Sequence, residues 1–270
     1  MSAAGERLPT LYIPHGGGPC FFMEWTMGPP DTWDLMAEWL RGLGSQIEPR
    51  PRGLVVVSAH WEEPVVAVNH AAHRGLLYDY YGFPPHTYHI TYDAPGDPAL
   101  AREIVGLLER AGITARPEEH RGLDHGVFVP LKLVYPEADV PIVAVSLRGD
   151  LDPRFHLSLG RALAPLRAEG VLIIGSGMSY HDMTGFMTER ARTDSRAFDD
   201  WLTETCAAPP DERERRLASW QVAPSARACH PREEHLLPLM VAAGAAPDDP
   251  GERVFTDQVM GATVSAFRFG

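Results

Sequence analysis

Leu54-Val55-Val56-Val57-Ser58-Ala59-His60 and Val171-Leu172-Ile173-Ile174-Gly175-Ser176-Gly177, the second leading on to His181, decide the fold. A third run, Leu11-Tyr12-Ile13-Pro14-His15-Gly16-Gly17-Gly18, has the same design: apolar, β-branched residues give way to small or turn-forming ones beside a histidine. Strands buried on both faces of a parallel sheet read as continuous apolar runs, and open α/β sheets bind ligands at the carboxyl ends of their strands. Three histidines delivered to that edge suggest a metal pocket.

The reading extends outward from these runs. Strands are predicted at 10–14, 53–59, 140–147, 171–175 and 263–269, with short ones at 65–70 and 88–92. Helices are predicted at 31–44, 98–112, 126–135, 154–169, 190–206 and 231–244. Pro98, after Asp97, suits a first helical position, where its missing N–H costs nothing. Alternating strands and helices predict an α/β fold with a mainly parallel or mixed central sheet, flanked by helices on both faces. Gly82-Phe83-Pro84-Pro85 and similar pieces are short turns rather than linkers, so one domain is expected over residues 1–270.

A hydrophobic content of 44% in 270 residues supports a sizeable core. The formal charge of −12 argues against nucleic acid or an anionic membrane as the main partner, because either needs a basic surface. A small molecule is the expected partner. No stretch approaches the roughly 20 apolar residues of a membrane span, and the first ten residues lack the layout of a signal peptide, so a cytoplasmic location is expected. Cys20, Cys206 and Cys229 are few, distant and odd in number, which suits buried free thiols better than a disulfide framework.

Taken singly, each candidate histidine has an ordinary reading. His15 is equally a turn histidine, and His60 equally a histidine at the edge of the core. His125, in Gly122-Leu123-Asp124-His125-Gly126, sits in a loop with a carboxylate beside it. Gly175-Ser176-Gly177 before His181 resembles a phosphate loop but lacks the full glycine spacing. His235 falls about one turn into a helix expected to begin at Pro231. No His-Glu-x-x-His or zinc-finger spacing is present, so any metal site must be assembled by the fold.

Taken together, the motifs resemble one family. Ile13-Pro14-His15-Gly16-Gly17-Gly18-Pro19, Ser58-Ala59-His60-Trp61-Glu62, Tyr80-Tyr81-Gly82-Phe83-Pro84, Tyr92-Asp93-Ala94-Pro95-Gly96-Asp97-Pro98, Gly122 to Gly126, Gly175-Ser176-Gly177 with His181, and His230-Pro231 with His235 occur in order from about residue 10 to 243. This pattern is similar to that of the class III extradiol ring-cleavage dioxygenases, in their single-chain DOPA 4,5-dioxygenase-like branch. The resemblance implies that His15, His60 and His235 are the metal ligands. It implies that His181 is a general base, sometimes counted as a ligand, and that His125 is a second pocket histidine acting on substrate or protons.

The implied cofactor is Fe(II), with zinc as the alternative occupant of the purified protein. The implied substrates are a catechol and O2, the product is a semialdehyde acid, and a homo-oligomer is admitted. The residue types suit this chemistry. Three protein ligands leave open positions for a chelating catecholate and for dioxygen, and an imidazole titrates near neutral pH. Two other functions use the same residues: a zinc-dependent hydrolase activating water, or a Memo-like binding protein without catalysis. Around the site, Tyr80, Tyr81 and Phe83 are either a lid or loop anchors. Arg227 and Arg232 either bind a substrate carboxylate or pair with Glu233 and Glu234. Asp211-Glu212-Arg213-Glu214-Arg215-Arg216 reads as a solvated helix face.

Overall fold

The apolar runs form the parallel centre of an eight-stranded mixed sheet in the computed structural model, which describes residues 7–270. Along the chain the first half contains β1 (Thr10–Pro14), α1 (Asp34–Leu43), β2 (Gly53–Glu63), β3 (Val66–Asn69), α2 (Pro98–Arg110), β4 (Ala115–Glu118), α3 (His125–Val134) and β5 (Ile142–Arg148). The second half contains α4 (Pro153–Leu163), β6 (Val171–Gly177), α5 (Glu189–Ala207), α6 (Pro210–Ala218), α7 (Ala226–Cys229), α8 (Leu237–Ala245), β7 (Gly251–Val259) and β8 (Ala262–Phe269). The strand order is β4-β3-β5-β2-β6-β1-β8-β7.

Strands β5, β2, β6 and β1 run parallel, with Leu54 opposite both Ile142 and Leu172, and Thr10 opposite Ile173. Their side chains are almost completely buried, as continuous apolar runs require. β8 joins antiparallel to β1, and β7 closes the edge as a hairpin partner of β8. The hairpin turns at Met260 and Gly261, both with positive φ, a geometry that matches the twist of the flanking strands.

β6 shows how the two faces are covered. Successive strand residues point to opposite faces. Ser176 reaches the carbonyl of Gly126 in α3, whereas a Cβ on Gly175 or Gly177 would collide with the carbonyls of Pro238 in α8 or of His235 before it. Helices α3 and α8 therefore lie on opposite faces. The two glycines are there to admit the backbone around α8, which also explains why the motif lacks a phosphate loop's spacing.

Several boundaries differ from the predicted ones. β2 runs on to Glu63, so His60 lies inside a strand whose register against β5 shifts between Val57 and Glu62; such irregularities re-aim side chains. Residues 88–92 are not a strand. Pro85–His89 form a short 3-10 helix, because Pro84 and Pro85 set its entry and the Thr87 hydroxyl closes back on the Pro84 carbonyl. The last long helix begins at Leu237 rather than Pro231, since Pro238, which lacks an N–H, fits only its first turn.

The sequence reading had no β4, β7 or α7, and it had α6 only as a charged helix face over 211–216. α6 is also not simply a solvated face: Arg213 is buried and donates to the carbonyls of Ala246, Pro247 and Asp249 at 3.0, 2.9 and 2.8 Å, closing the C-terminal end of α8. Asp97 caps α2 as its sequence position suggests, accepting from the backbone N–H groups of Ala99 and Leu100. No helix is long and apolar enough to cross a membrane among the described residues.

Candidate metal centre

His15 directly follows β1, His60 lies near the carboxyl end of β2, and His235 lies two residues before the start of α8. Their ring nitrogens meet. His60 Nε2 is 3.1 Å from His15 Nε2 and 3.2 Å from His235 Nε2. The outer nitrogens of two of the rings are already committed. His15 Nδ1 lies 3.1 Å from Ser176 Oγ, and His235 Nδ1 lies 2.9 Å from Glu234 Oε1. Because Ser176 donates to the Gly126 carbonyl and Glu234 is a carboxylate, both Nδ1 atoms are the protonated ones, and both Nε2 atoms turn lone pairs toward His60.

One proton on His60 cannot satisfy two facing lone pairs, whereas a cation between the three can. Metal–imidazole bonds of about 2.0–2.1 Å place neighbouring ligand nitrogens about 3 Å apart, so the donor set fits a single divalent ion. Burial, reinforced by the neighbouring imidazoles, holds His15 and His235 well below the usual histidine range. Burial and His125 push His60 down to about 3 against the opposing pull of Asp79. All three rings are thus neutral ligands near pH 7.

Two more histidines complete the pocket. His125 is the first residue of α3 and donates through both its backbone N–H and Nδ1 to Asp79 Oδ1, at 2.9 and 2.8 Å. His181, four residues beyond β6, stacks on His235 with ring centroids 3.3 Å apart, and its Nδ1 lies 3.3 Å from Glu234 Oε1. Each carboxylate keeps a proton of its histidine on Nδ1. Burial raises the Glu234 and Asp79 carboxyls, but hydrogen bonds from His181 and His125 outweigh it and hold both below the ordinary carboxylate range. His181 groups with Glu234 and His235 but not with the His15, His60 and His235 set. The five histidines line one cavity with Gly16–Gly18, Tyr80, Tyr81 and Phe83.

The family described as the catalytic LigB subunit of aromatic ring-opening dioxygenase matches residues 9–268. The chain belongs to that family. It is a metal-dependent, non-haem extradiol ring-opening dioxygenase. Among its relatives, dioxygenase tasH of Hapsidospora irregularis is 35% identical over 97% of this chain and 85% of its own length. A 4,5-DOPA dioxygenase extradiol from Beta vulgaris is 41% identical over 73% of this chain and 74% of its own. The crystal structure of an uncharacterized Escherichia coli K12 protein superposes with a TM-score of 0.78 at 27% identity, covering 98% of this chain and all of that one. Neither a zinc hydrolase nor a Memo-like binding protein is favoured by these matches.

The fold of the dioxygenase thus gathers all five predicted histidines, and it settles the side chains left open around them. Arg227 pairs with Glu233 at 2.6 Å, and Arg232 holds Glu62 through two contacts of 2.5 Å, with Glu234 at 3.3 Å. Neither arginine is left for a carboxylate. Cys20 is a buried thiol accepting from the Gly17 N–H, and burial drives its pKa upward. Tyr80 is anchored through its hydroxyl to the Thr87 carbonyl, whereas Tyr81 stands almost wholly exposed at the cavity mouth. Asp79 and Ser176 were not singled out from the sequence, and Glu234 was read only as an arginine partner. A carboxylate between two tyrosines and a serine within a strand carry no local signal of what they hold.

Proposed function

We propose that this dioxygenase opens the ring of a catechol with O2 to give a semialdehyde acid, using Fe(II) held by His15, His60 and His235. The convergence of three neutral Nε2 atoms on the floor of an aromatic-lined cavity carries the reading. Bound there, iron would supply chelation of the two ring oxygens and electron transfer to dioxygen.

The chain's own residues do the rest. Three uncharged ligands cancel none of the cation's charge, so the pocket favours a catecholate over a neutral catechol. His181, its Nδ1 held by Glu234, has Nε2 free to take a hydroxyl proton and return it as the ring opens. His125, its Nδ1 held by Asp79, brings a second acceptor nitrogen to the same cavity, suited to accepting a hydrogen bond from a substrate hydroxyl. His181 acts as base rather than ligand in this reading, because its carboxylate partner and its stacking on His235 keep it beside the three-nitrogen set. A cytoplasmic setting suits the three free, buried cysteines.

Anaerobic loading with Fe(II), followed by oxygen and a catechol, tests the reading: oxygen uptake and a new visible absorbance are expected together. Metal-dependent hydrolysis without oxygen would overturn it. His15→Ala and His60→Ala should each lose their iron, and an iron content equal to the unsubstituted protein would refute the ligand assignment. His181→Gln should keep iron and lose about 10²- to 10⁴-fold in turnover; near-normal turnover would transfer the base role to His125.

A further inference from the structure

The cavity above the histidines is larger and less polar than a catechol ring demands. Its volume is about 660 Å³, within the size range of sites that enclose drug-sized ligands. Away from the histidines its walls include Trp25, Trp33, Phe83 and Phe186, with Met183 and Met187 exposed toward the mouth. Methionine side chains adapt their shape and suit variable apolar groups. No lysine or arginine lines this cavity among the described residues.

The cations packed around the cluster are committed elsewhere. Arg121 donates to the His60 carbonyl and to Asp124, and its guanidinium lies over the Trp61 ring. Arg232 is held by Glu62 and Glu234. Along the adjoining groove, which shares Met27, Met187 and Met260 with the cavity, the one cation is Arg192 among the described residues; it pairs with Glu189, and Asp257 lines the same groove. The formal charge of −12 adds no attraction for an anion.

We propose that the site selects catechols whose ring substituent is uncharged and apolar, an alkyl or aryl group, and discriminates against those bearing a carboxylate. This rests on the ring-opening function proposed above. An apolar substituent gains by leaving water against the tryptophan, phenylalanine and methionine walls. A carboxylate carried into the same space would lose its hydration and meet no cation. The DOPA for which several relatives are named carries such a carboxylate, so the inference separates this chain from them in specificity while leaving the shared chemistry intact.

The test compares 4-methyl-, 4-propyl- and 4-pentylcatechol with 3,4-dihydroxyphenylacetate, 3,4-dihydroxyphenylpropanoate and DOPA. Binding to the Fe(II)-loaded full chain is measured by calorimetry without oxygen, and kcat/KM is measured separately in air. Affinity should rise about fourfold per buried methylene along the alkyl series. Each carboxylate should bind at least about tenfold more weakly than the alkyl catechol of matching length, with kcat/KM in the same order. Carboxylates that bind as tightly as the matching alkyl catechols would overturn the proposal, even if every ring is opened. If the alkyl preference appears in binding but no ring is opened in air, the specificity stands and the ring-opening function fails. Failure of every catechol to bind would overturn both.

Discussion

Ser176 Oγ stands 3.1 Å from His15 Nδ1 and donates its own hydrogen to the carbonyl of Gly126. Pro130, inside α3 four residues after Gly126, is the reason that carbonyl is free, because proline has no N–H to give it. A proline in a helix thus fixes a serine rotor, the serine fixes the tautomer of His15, and the lone pair of His15 faces the metal position. Partners of this kind commonly change metal affinity by about 10- to 100-fold when removed.

Ser176→Ala should therefore weaken Fe(II) or Zn(II) binding by about 10- to 100-fold while the chain stays folded. Competition against a chromophoric chelator reads this directly. Pro130→Ala should act in the same direction by restoring an N–H that competes with Ser176 for Gly126. Unchanged affinity in both variants would mean that His15 is oriented by its neighbours in the cluster alone.

Asp79→Asn should leave metal content intact and lower kcat by at least about tenfold, because an amide no longer enforces the Nδ1-protonated form of His125. The pH profile should move with it. A KM change alone, with kcat and profile unaltered, would reduce Asp79 to a packing role.

Arg213→Ala should cost about 3 kcal/mol of unfolding free energy, since the buried carbonyl of Ala246 and the half-buried carbonyls of Pro247 and Asp249, just beyond α8, lose their donor together. Arg213→Lys should recover only part of it, because an ammonium cannot reproduce the planar fork. Urea unfolding measures both.

His156 makes stability depend on pH. Its Nε2 accepts from the Arg148 N–H at 3.1 Å and its Nδ1 donates to the Asp152 carbonyl at 2.7 Å, so the folded ring has no site for a second proton. Burial lowers its pKa to about 4, whereas in the unfolded chain it titrates near 6.5. The unfolded state therefore takes up the proton first as pH falls. The contribution is complete above about pH 6.5 and drains away between there and about pH 4. At pH 5 the loss from this group amounts to about 2 kcal/mol relative to pH 7. His156→Gln should flatten the decline by about that amount in urea unfolding at the two pH values.

The sheet was legible from the sequence where burial on both faces writes a continuous apolar run: β1, β2, β5 and β6 stand close to where Leu11, Val55, Val143 and Ile173 place them. Edge elements were less legible. β4 consists of Ala115–Glu118, half-exposed and containing a proline, and it exists only because β3 is beside it. The tract at 88–92 alternates as a strand does, yet the prolines before it and the absence of a neighbouring strand make it a short 3-10 helix and a loop.

The sequence by itself determined the parallel core, the histidines at its carboxyl edge and the family to which the chain belongs, because these are written in local composition and in short motifs. Only the tertiary structure decided what those histidines touch. Asp79 turns His125 from 46 residues away, Ser176 sets His15 from 161 residues away, and Arg232 spends its charge on Glu62 across 170 residues. Ring tautomers and free charges follow from which polar groups are buried together, and that is a property of packing that no stretch of chain contains alone.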